Sequence, residues 1–243
     1  MADLVYRSVM RDIKEKILNN QYDGMRLPDE RSLSEAYAVS RSSIKRALGI
    51  LAQQGIIFKK RGSGTFINPI YLKNQSLFNY EGSNLGVTDS FQTDGKKQSI
   101  KLLDYQVVPA GADIQEELFL NDTDFVYQIK RLRLIDDQPF MIETGFIPIK
   151  LVPTLTPEVV NSSIFNYLED KMGKRVTKSF STISVSPSTQ DDQDLLKLTP
   201  NEPVGLMDGV FFLDDGTPFE VSSLRVHYKY MRYSTFINLD QEG

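Results

Sequence analysis

Cysteine and tryptophan are absent from this 243-residue chain, and histidine occurs once, as His227. Without cysteine there is no disulfide framework, no thiolate metal site and no cysteine nucleophile. With a single histidine, a zinc site would be built almost wholly of carboxylates, and any Ser-His-Asp triad would have to run through His227. No apolar run reaches the roughly 18 residues that a membrane-spanning helix needs, so no membrane partner is expected. The opening stretch, MADLVYRSVMRDIKEK, alternates charges and lacks the apolar centre of a secretion signal. The expected location is therefore the cytoplasm. What is present is ordinary for a folded globular protein: 40% hydrophobic and 25% charged residues, with 14 Phe and 11 Tyr. The length fits one large domain or two of ordinary size.

Acidic residues are unevenly spread. Residues 1–70 hold 12 Lys+Arg against 7 Asp+Glu, a net +5, whereas the remainder carries a net −9. No acidic residue occurs between Ala36 and Tyr80, a window that contains Arg41, Lys45, Arg46, Lys59, Lys60, Arg61 and Lys73. A basic end on an acidic body points to a polyanionic partner for that end alone. A solvated basic surface is the plainer alternative.

The basic third has a readable order of elements. Val5, Val9, Ile13 and Ile17 recur at steps of four, which predicts an amphipathic helix over residues 4–19. Asp29 can cap a helix from Glu30 to Val39, with Leu33, Ala36 and Tyr37 inward. Ser40 can cap a third helix, from Arg41 to about Gln54, with Ile44, Ala47, Leu48 and Leu51 inward and Gly55 at its end. Its other face carries Arg41, Ser42, Lys45 and Arg46. Two short helices joined at Val39-Ser40 fit a helix-turn-helix, whose second helix can enter a major groove. Then Ile56–Lys60, the turn Arg61-Gly62-Ser63-Gly64 and Thr65–Ile67 read as a β-hairpin with a basic tip. Helix-turn-helix plus hairpin is a winged helix.

The run LPDERSLSEAYAVSRSSIKRALGILAQQGIIFKKRGSGTFI resembles the DNA-binding domain of the GntR family of bacterial transcription regulators. The match spans residues 5–68 and keeps Leu-Pro then Glu-Arg, Val-Ser-Arg at the turn, Arg-Ala-Leu on the third helix and Gly-x-Gly-Thr-Phe at the wing. Three positions depart from the family pattern: Asp29 for Ser, Ala38 for Gly, and Lys45 for a second recognition arginine. The resemblance implies that Arg31 and Arg41 read bases or phosphates, with Lys45 at the third such site. It implies that Ser42 and Ser43 touch phosphate and that Gly62 enters the minor groove. Lys59, Lys60 and Arg61 suit phosphate clamps. Arg46 is either a DNA contact or a solvated helix residue. For Arg31 the alternative is a salt bridge to Glu30 or Glu35.

Residues 68–85 have no periodicity and read as linker. Beyond them alternation predicts strands near 100–108, 124–135, 140–148, 175–186, 204–213 and 217–228, with helices at 112–119, 162–172 and 188–197. Hairpins across Asp136-Asp137 and Asp214-Asp215-Gly216 argue for an antiparallel α+β body. A body of this kind resembles the UTRA domain, with a chorismate lyase-like fold, and so the HutC/UTRA branch of GntR regulators. The resemblance rests on Arg131-Leu132-Arg133, Gln138–Glu143 with Phe146-Ile147-Pro148, Ser163-Ile164-Phe165 and Pro218–Val221. The expected layout is a winged helix-turn-helix domain at 1–69, a linker at 70–85 and an effector-binding α+β domain at 86–243.

Strand spacing gives the body a candidate site. Arg131 and Arg133 lie two residues apart and share a strand face, where two guanidiniums repel unless something anionic stands between them. Glu143 lies on a neighbouring strand, and Glu220 is expected to share a face with Ser222, Leu224, Val226 and Tyr228. Carboxylates accept hydrogen bonds from vicinal hydroxyls, and arginines hold phosphate. Ser163 is placed at a helix start, and the loop containing Ser90 and Phe91 offers backbone donors near which the resemblance places an anion. The set suits a polyhydroxylated effector with an anionic end, such as a sugar phosphate, and needs no cofactor or metal. Mutual ion pairing of Arg131, Arg133, Glu143 and Glu220 is the structural alternative.

The combined expectation is a ligand-responsive repressor that binds double-stranded operator DNA as a homodimer and answers to a carbohydrate-related metabolite. An enzyme using the lyase-like fold and a ligand-independent DNA binder are the alternatives.

Overall fold

The computed structural model describes residues 2–73, 97–233 and 236, which fall into two compact units: residues 2–73 with Phe236, and residues 97–233. In the first unit α1 (Ala2–Leu18), α2 (Glu30–Tyr37) and α3 (Arg41–Gln53) precede the hairpin β1 (Ile57–Lys60) and β2 (Gly64–Ile67), followed by the short α4 (Pro69–Lys73). Asp29 caps α2 by accepting from the Ser32 amide at 2.9 Å. Ser40 caps α3 by accepting from the Ser43 amide at 3.2 Å. Both caps satisfy amides that have no partner inside their helices.

The three helices bury one common core. Ile44, Ala47, Leu48 and Leu51 of α3 are fully covered, and they meet Val9, Ile13 and Ile17 of α1 and Leu33 of α2. Two inward assignments are corrected. The α1 stripe starts with buried Tyr6, while Val5 is 37% exposed, because a 3.6-residue turn drifts off a strict step of four. Ala36 is exposed, since only one edge of the two-turn α2 faces the core. Tyr37 ties α2 to α1: its hydroxyl donates to Asp12 and accepts from Lys16.

The second unit is a six-stranded antiparallel sheet with strands in the order β3-β4-β5-β8-β7-β6. Its strands are β3 (Gln98–Pro109), β4 (Phe125–Ile135), β5 (Gln138–Pro148), β6 (Val176–Pro187), β7 (Pro203–Leu213) and β8 (Pro218–His227). Around them lie α5 (Ala112–Leu118), α6 (Pro157–Val160), α7 (Ile164–Tyr167) and α8 (Gln190–Leu196). The helix expected over 162–172 is α7 running into a π-helical turn at Leu168–Met172, and α6 is an added element.

One face of the sheet carries two apolar clusters. At one end Tyr127, Ile129, Ile147 and Phe211 pack under Val152, Leu155, Val160, Ile164 and Phe165. At the other end Met141, Met207, Leu224 and Val226 gather with Ile135. Cross-strand registry leaves a polar band between them: Arg131 and Arg133 on β4, Glu143 and Gly145 on β5, Glu220 and Ser222 on β8, Gly209 on β7. The opposite face buries Leu132, Ile142 and Val204 under Leu196 and Leu198, the former from α8.

Ala38 ends α2 in the left-handed region at φ 51°. A Cβ there costs roughly 1 kcal/mol, a penalty that glycine escapes. Ala38→Gly is expected to stabilise the N-terminal unit by about 0.5–1 kcal/mol in urea unfolding. A loss of stability would contradict this reading of the turn.

Candidate functional site

Two sets of side chains stand out, one in each unit. In the N-terminal unit the α3 core stripe turns the opposite face outward. Arg41, Ser42, Lys45 and Arg46 are exposed there, and Ser43 is half-buried. The hydroxyls of Ser42 and Ser43 lie 2.8 and 2.9 Å from that of Ser40, so all three cluster over the positive end of α3. On the wing, the Ser63 amide donates to the Lys60 carbonyl at 2.9 Å and closes the turn that exposes Lys60, Arg61 and Gly62. Arg41, Lys45, Lys60 and Arg61 form no ion pair among the described residues.

Other basic residues are engaged internally. Arg31 donates to Glu35 at 3.0 Å, although both side chains are mostly exposed and the pair is weak. Lys59 bonds Glu30 at 2.9 Å. Arg46 lies over the Tyr6 ring, 4.0 Å from its centre, and so braces α3 against α1. Sequence reasoning missed Arg26, which bridges to Phe66 on the wing and lays its guanidinium over that ring at 5.8 Å. Its Nε and Nη2 sit 3.0 Å from where a Cβ would stand on Gly64. The available signal was the wing glycine itself, whose missing side chain leaves room for a group to lie flat on the strand.

The second set is the polar band of the sheet. Registry places Glu143 directly opposite Arg131 and next to Met141, the partner of Arg133. Arg131 Nη2 donates to Glu143 Oε1 at 2.6 Å, and Arg133 Nε donates to Glu143 Oε2 at 2.6 Å. The anion between the two guanidiniums is thus Glu143, and all three side chains are about 95% buried. Arg131 Nη1 also donates to the carbonyls of Val160 and Ser162, at 2.9 and 3.2 Å. Those carbonyls lead straight to Ser163, which caps α7 by accepting from the Asn166 amide at 3.3 Å. One donor is left over: among the described residues Arg131 Nε is buried with no hydrogen-bond partner.

Glu220 reaches the same band from β8. Its Oε1 lies 2.4 Å from the position a Cβ would take on Gly145, so only glycine there admits the carboxyl. The Glu220 backbone pairs with Phe211 in the β7–β8 ladder, and among the described residues no hydrogen bond reaches its carboxyl. Burial, and then the charge of Glu143, push its pKa up to about 8. Burial also opposes ionisation of Glu143, but the two guanidiniums outweigh it and hold that group at about 2. Burial and the Glu143 charge thus favour the protonated form of Glu220, whereas the flanking guanidiniums favour the ionised form of Glu143.

One expected effector contact, Tyr228, falls elsewhere. Tyr228 does not share the face of Glu220: β8 ends at His227, and a 3-10 turn carries Tyr228 to the opposite face. There its hydroxyl donates to Glu202 at 2.7 Å. Ser90 and Phe91 lie outside the described residues. Among the described residues no three His, Asp or Glu side chains are grouped to hold a metal ion, and no helix is long and apolar enough to cross a membrane.

Comparison with known proteins gives these features a family. Residues 5–67 match the family of bacterial regulatory proteins, gntR family, and residues 93–232 match the UTRA domain. HTH-type transcriptional regulator GmuR of Bacillus subtilis is 29% identical, covering 90% of this chain and 92% of that protein. HTH-type transcriptional repressor NagR of Bacillus subtilis is 26% identical over 89% of this chain and 87% of that one. The Mannosyl-D-glycerate transport/metabolism system repressor MngR of Escherichia coli is 27% identical over 90% and 89%. The crystal structure of YydK from Bacillus subtilis superposes with a TM-score of 0.80 at 25% identity, covering 95% of this chain and 99% of that one. The chain belongs to the gntR family of bacterial regulatory proteins, in the branch that carries a UTRA domain. It is a transcriptional regulator with a DNA-binding head and an effector-binding body.

The buried carboxyl supplies a test that needs no ligand. Glu220 holds its proton more tightly folded than unfolded, so its contribution to stability is complete below about pH 4.5 and is lost as pH rises towards about 8. Glu143 acts oppositely, and its contribution is lost as pH falls from about 4.5 to about 2. Glu220→Gln keeps the shape and removes the titration, so its melting temperature should decline less than that of the wild type over the upper window. Parallel melting curves for the two proteins would show that Glu220 is ionised in the fold.

Proposed function

We propose that this chain is a repressor of a sugar or small-metabolite utilisation operon, released from its operator when a sugar phosphate or related anionic metabolite binds the body. The observation that carries the ligand class is the pair of buried guanidiniums of Arg131 and Arg133 sharing the single carboxylate of Glu143, together with the unpartnered Arg131 Nε. An anionic group meets that donor and offsets the guanidinium charge. The Glu220 carboxyl and Ser222 alongside suit the hydroxyls of a sugar. Ser163 belongs to the proposed pocket, Ser90 and Phe91 are proposed as effector contacts on the family resemblance alone, and Tyr228 plays no part. Among the relatives, MngR is named for a mannosyl-glycerate system, a sugar linked to an acid.

On the DNA side Arg41, Lys45, Ser42 and Ser43 enter the major groove from α3, and Arg31 reads beside them after exchanging its exposed Glu35 partner. Lys60, Arg61 and Gly62 follow the adjacent backbone and minor groove, and Arg26 steadies the wing. Arg46 supports α3 through Tyr6 and contributes little to the duplex. The DNA-binding domain is residues 1–73, α4 carrying it past the expected boundary at 69; a linker follows, and the effector domain spans 86–233 in place of the expected 86–243. The protein works in the cytoplasm as a homodimer, with two heads on half-sites about 10 bp apart in a palindrome. It catalyses no reaction and uses no cofactor.

Thermal melting against a panel of sugars and their phosphates tests the ligand class. A phosphorylated sugar is expected to raise the melting temperature with concentration, worth about 2.7 kcal/mol at a hundred times Kd, while its unphosphorylated parent does far less. Glu220→Gln should weaken the shift and keep the preference for phosphate. Equal shifts from both forms, or none from any phosphate, would overturn the assignment of an anionic effector.

A further inference from the structure

Phe236 belongs to the N-terminal unit, although in sequence it follows the last residue of the body. Its side chain meets one point there. Cβ and Cδ2 of Phe236 lie 2.7 Å from where a Cβ would stand on Gly55, so the ring takes the place of a side chain at that position. Gly55 is where the DNA-reading elements meet. It ends α3 at φ 68°, donating to the Ala52 carbonyl at 3.0 Å while the Ile56 amide donates to Leu51 at 3.0 Å. The first strand of the wing starts two residues later. Asn68, at the exit from the wing, donates from Nδ2 to the Gly55 carbonyl at 2.8 Å and from its amide to Ile56 at 2.9 Å, and α4 follows at once. A ring on Gly55 therefore touches the recognition helix and the wing at their common root.

The other end of the same segment is fastened within the body in a similar manner. Met231 lies over β7, its Cγ 2.5 Å and its Sδ 2.9 Å from where a Cβ would stand on Gly205. Tyr230 sets its ring edge-on to Phe140 at 5.9 Å and to His227 at 5.6 Å. Both residues pack on the apolar cluster of Met141, Met207, Leu224 and Val226. That cluster adjoins the polar band, since Met141 is the registry partner of Arg133 and Leu224 that of Glu143. In sequence only Arg232, Tyr233, Ser234 and Thr235 stand between Met231 and Phe236. We propose that the C-terminal segment is a strap carrying the effector signal to the head, with Phe236 as the residue that positions α3 and the wing. This rests on the ligand-released repressor of the preceding section and names the element through which release passes. A shift of the cluster beside Arg133 and Glu143 moves Tyr230 and Met231, and the short segment passes the displacement to the root of α3. Phe236 is 50% exposed, so it is held by only part of the energy of full burial, as a reversible contact requires.

Operator affinity is measured by fluorescence anisotropy for the wild type, Phe236→Ala and Phe236→Leu, each with and without the sugar phosphate that most raises the wild-type melting temperature. On saturation the wild type should lose about tenfold or more in operator affinity. Phe236→Ala should still bind the operator and show the wild-type rise in melting temperature, yet lose less than about threefold in operator affinity when the compound is added. Phe236→Leu keeps an apolar side chain for the seat and should recover most of the wild-type factor. A merely structural role would lower operator affinity and melting temperature and leave the factor unchanged. The chain has no tryptophan, so Phe236→Trp supplies a single reporter of the seat. Acrylamide should quench it less than it quenches a peptide of residues 232–243 carrying the same substitution. An unchanged factor in Phe236→Ala, or equal quenching of protein and peptide, overturns the strap while the repressor reading stands. A wild type whose operator affinity the compound leaves unchanged, or a panel in which no sugar phosphate raises the melting temperature, overturns both.

Discussion

The pairing of Arg131 and Arg133 through one carboxylate is the contact on which the body of this protein depends. Two guanidiniums on one strand face, removed from water, repel strongly. Glu143 takes one hydrogen bond from each and fixes the β4–β5 register in doing so. A slip of one residue would carry Glu143 to the opposite face and leave two unpaired buried cations. Arg131 then reaches the carbonyls of Val160 and Ser162, which ties the segment holding α6 and α7 down over the sheet. Buried ion pairs seldom raise stability above that of a well-packed apolar core, because desolvation offsets much of the attraction. Retaining four ionisable groups between two apolar clusters is therefore better understood as equipment for recognition than as reinforcement.

The head follows a separate physical logic. Its core is apolar and ordinary, and its helix ends are capped by Asp29 and Ser40. The acid-free stretch lets Arg41, Lys45, Lys60 and Arg61 stand out without carboxylate partners among the described residues. Cations left in this state retain their full attraction for phosphate, and that attraction falls with salt. Arg46 and Arg26 show the complementary use of arginine, with the guanidinium lying over an aromatic ring to hold elements in place. One end of the chain thus reserves charge for a partner, while the other compensates most of its own.

Much of this was legible in the sequence because alternation and helical stripes report burial directly. All six strands of the body lie where period-two patterning puts them, and the shared face of Arg131 and Arg133 follows from their spacing alone. The pairing of Glu143 with both arginines was not legible, since it depends on the register between β4 and β5, and mutual ion pairing stayed an open alternative. Tyr228 was misplaced because extrapolating a strand by one residue ignores where it ends. The stacking of Arg46 on Tyr6 joins residues 40 positions apart, and no local pattern marks it. The short α6 was invisible for another reason: four residues are too few to show a period.

The central claim is that one molecule couples a buried anion-binding cluster to a DNA-reading head. A closed thermodynamic cycle tests it most directly. An operator duplex is first selected from random-sequence DNA, and its affinity is measured by fluorescence anisotropy with and without the sugar phosphate that raises the melting temperature. The affinity for that compound is then measured by calorimetry with and without the duplex. The account predicts that saturating ligand weakens operator binding by tenfold or more, and that the duplex weakens ligand binding by the same factor, as linkage requires. An operator affinity unchanged by saturating ligand would contradict it.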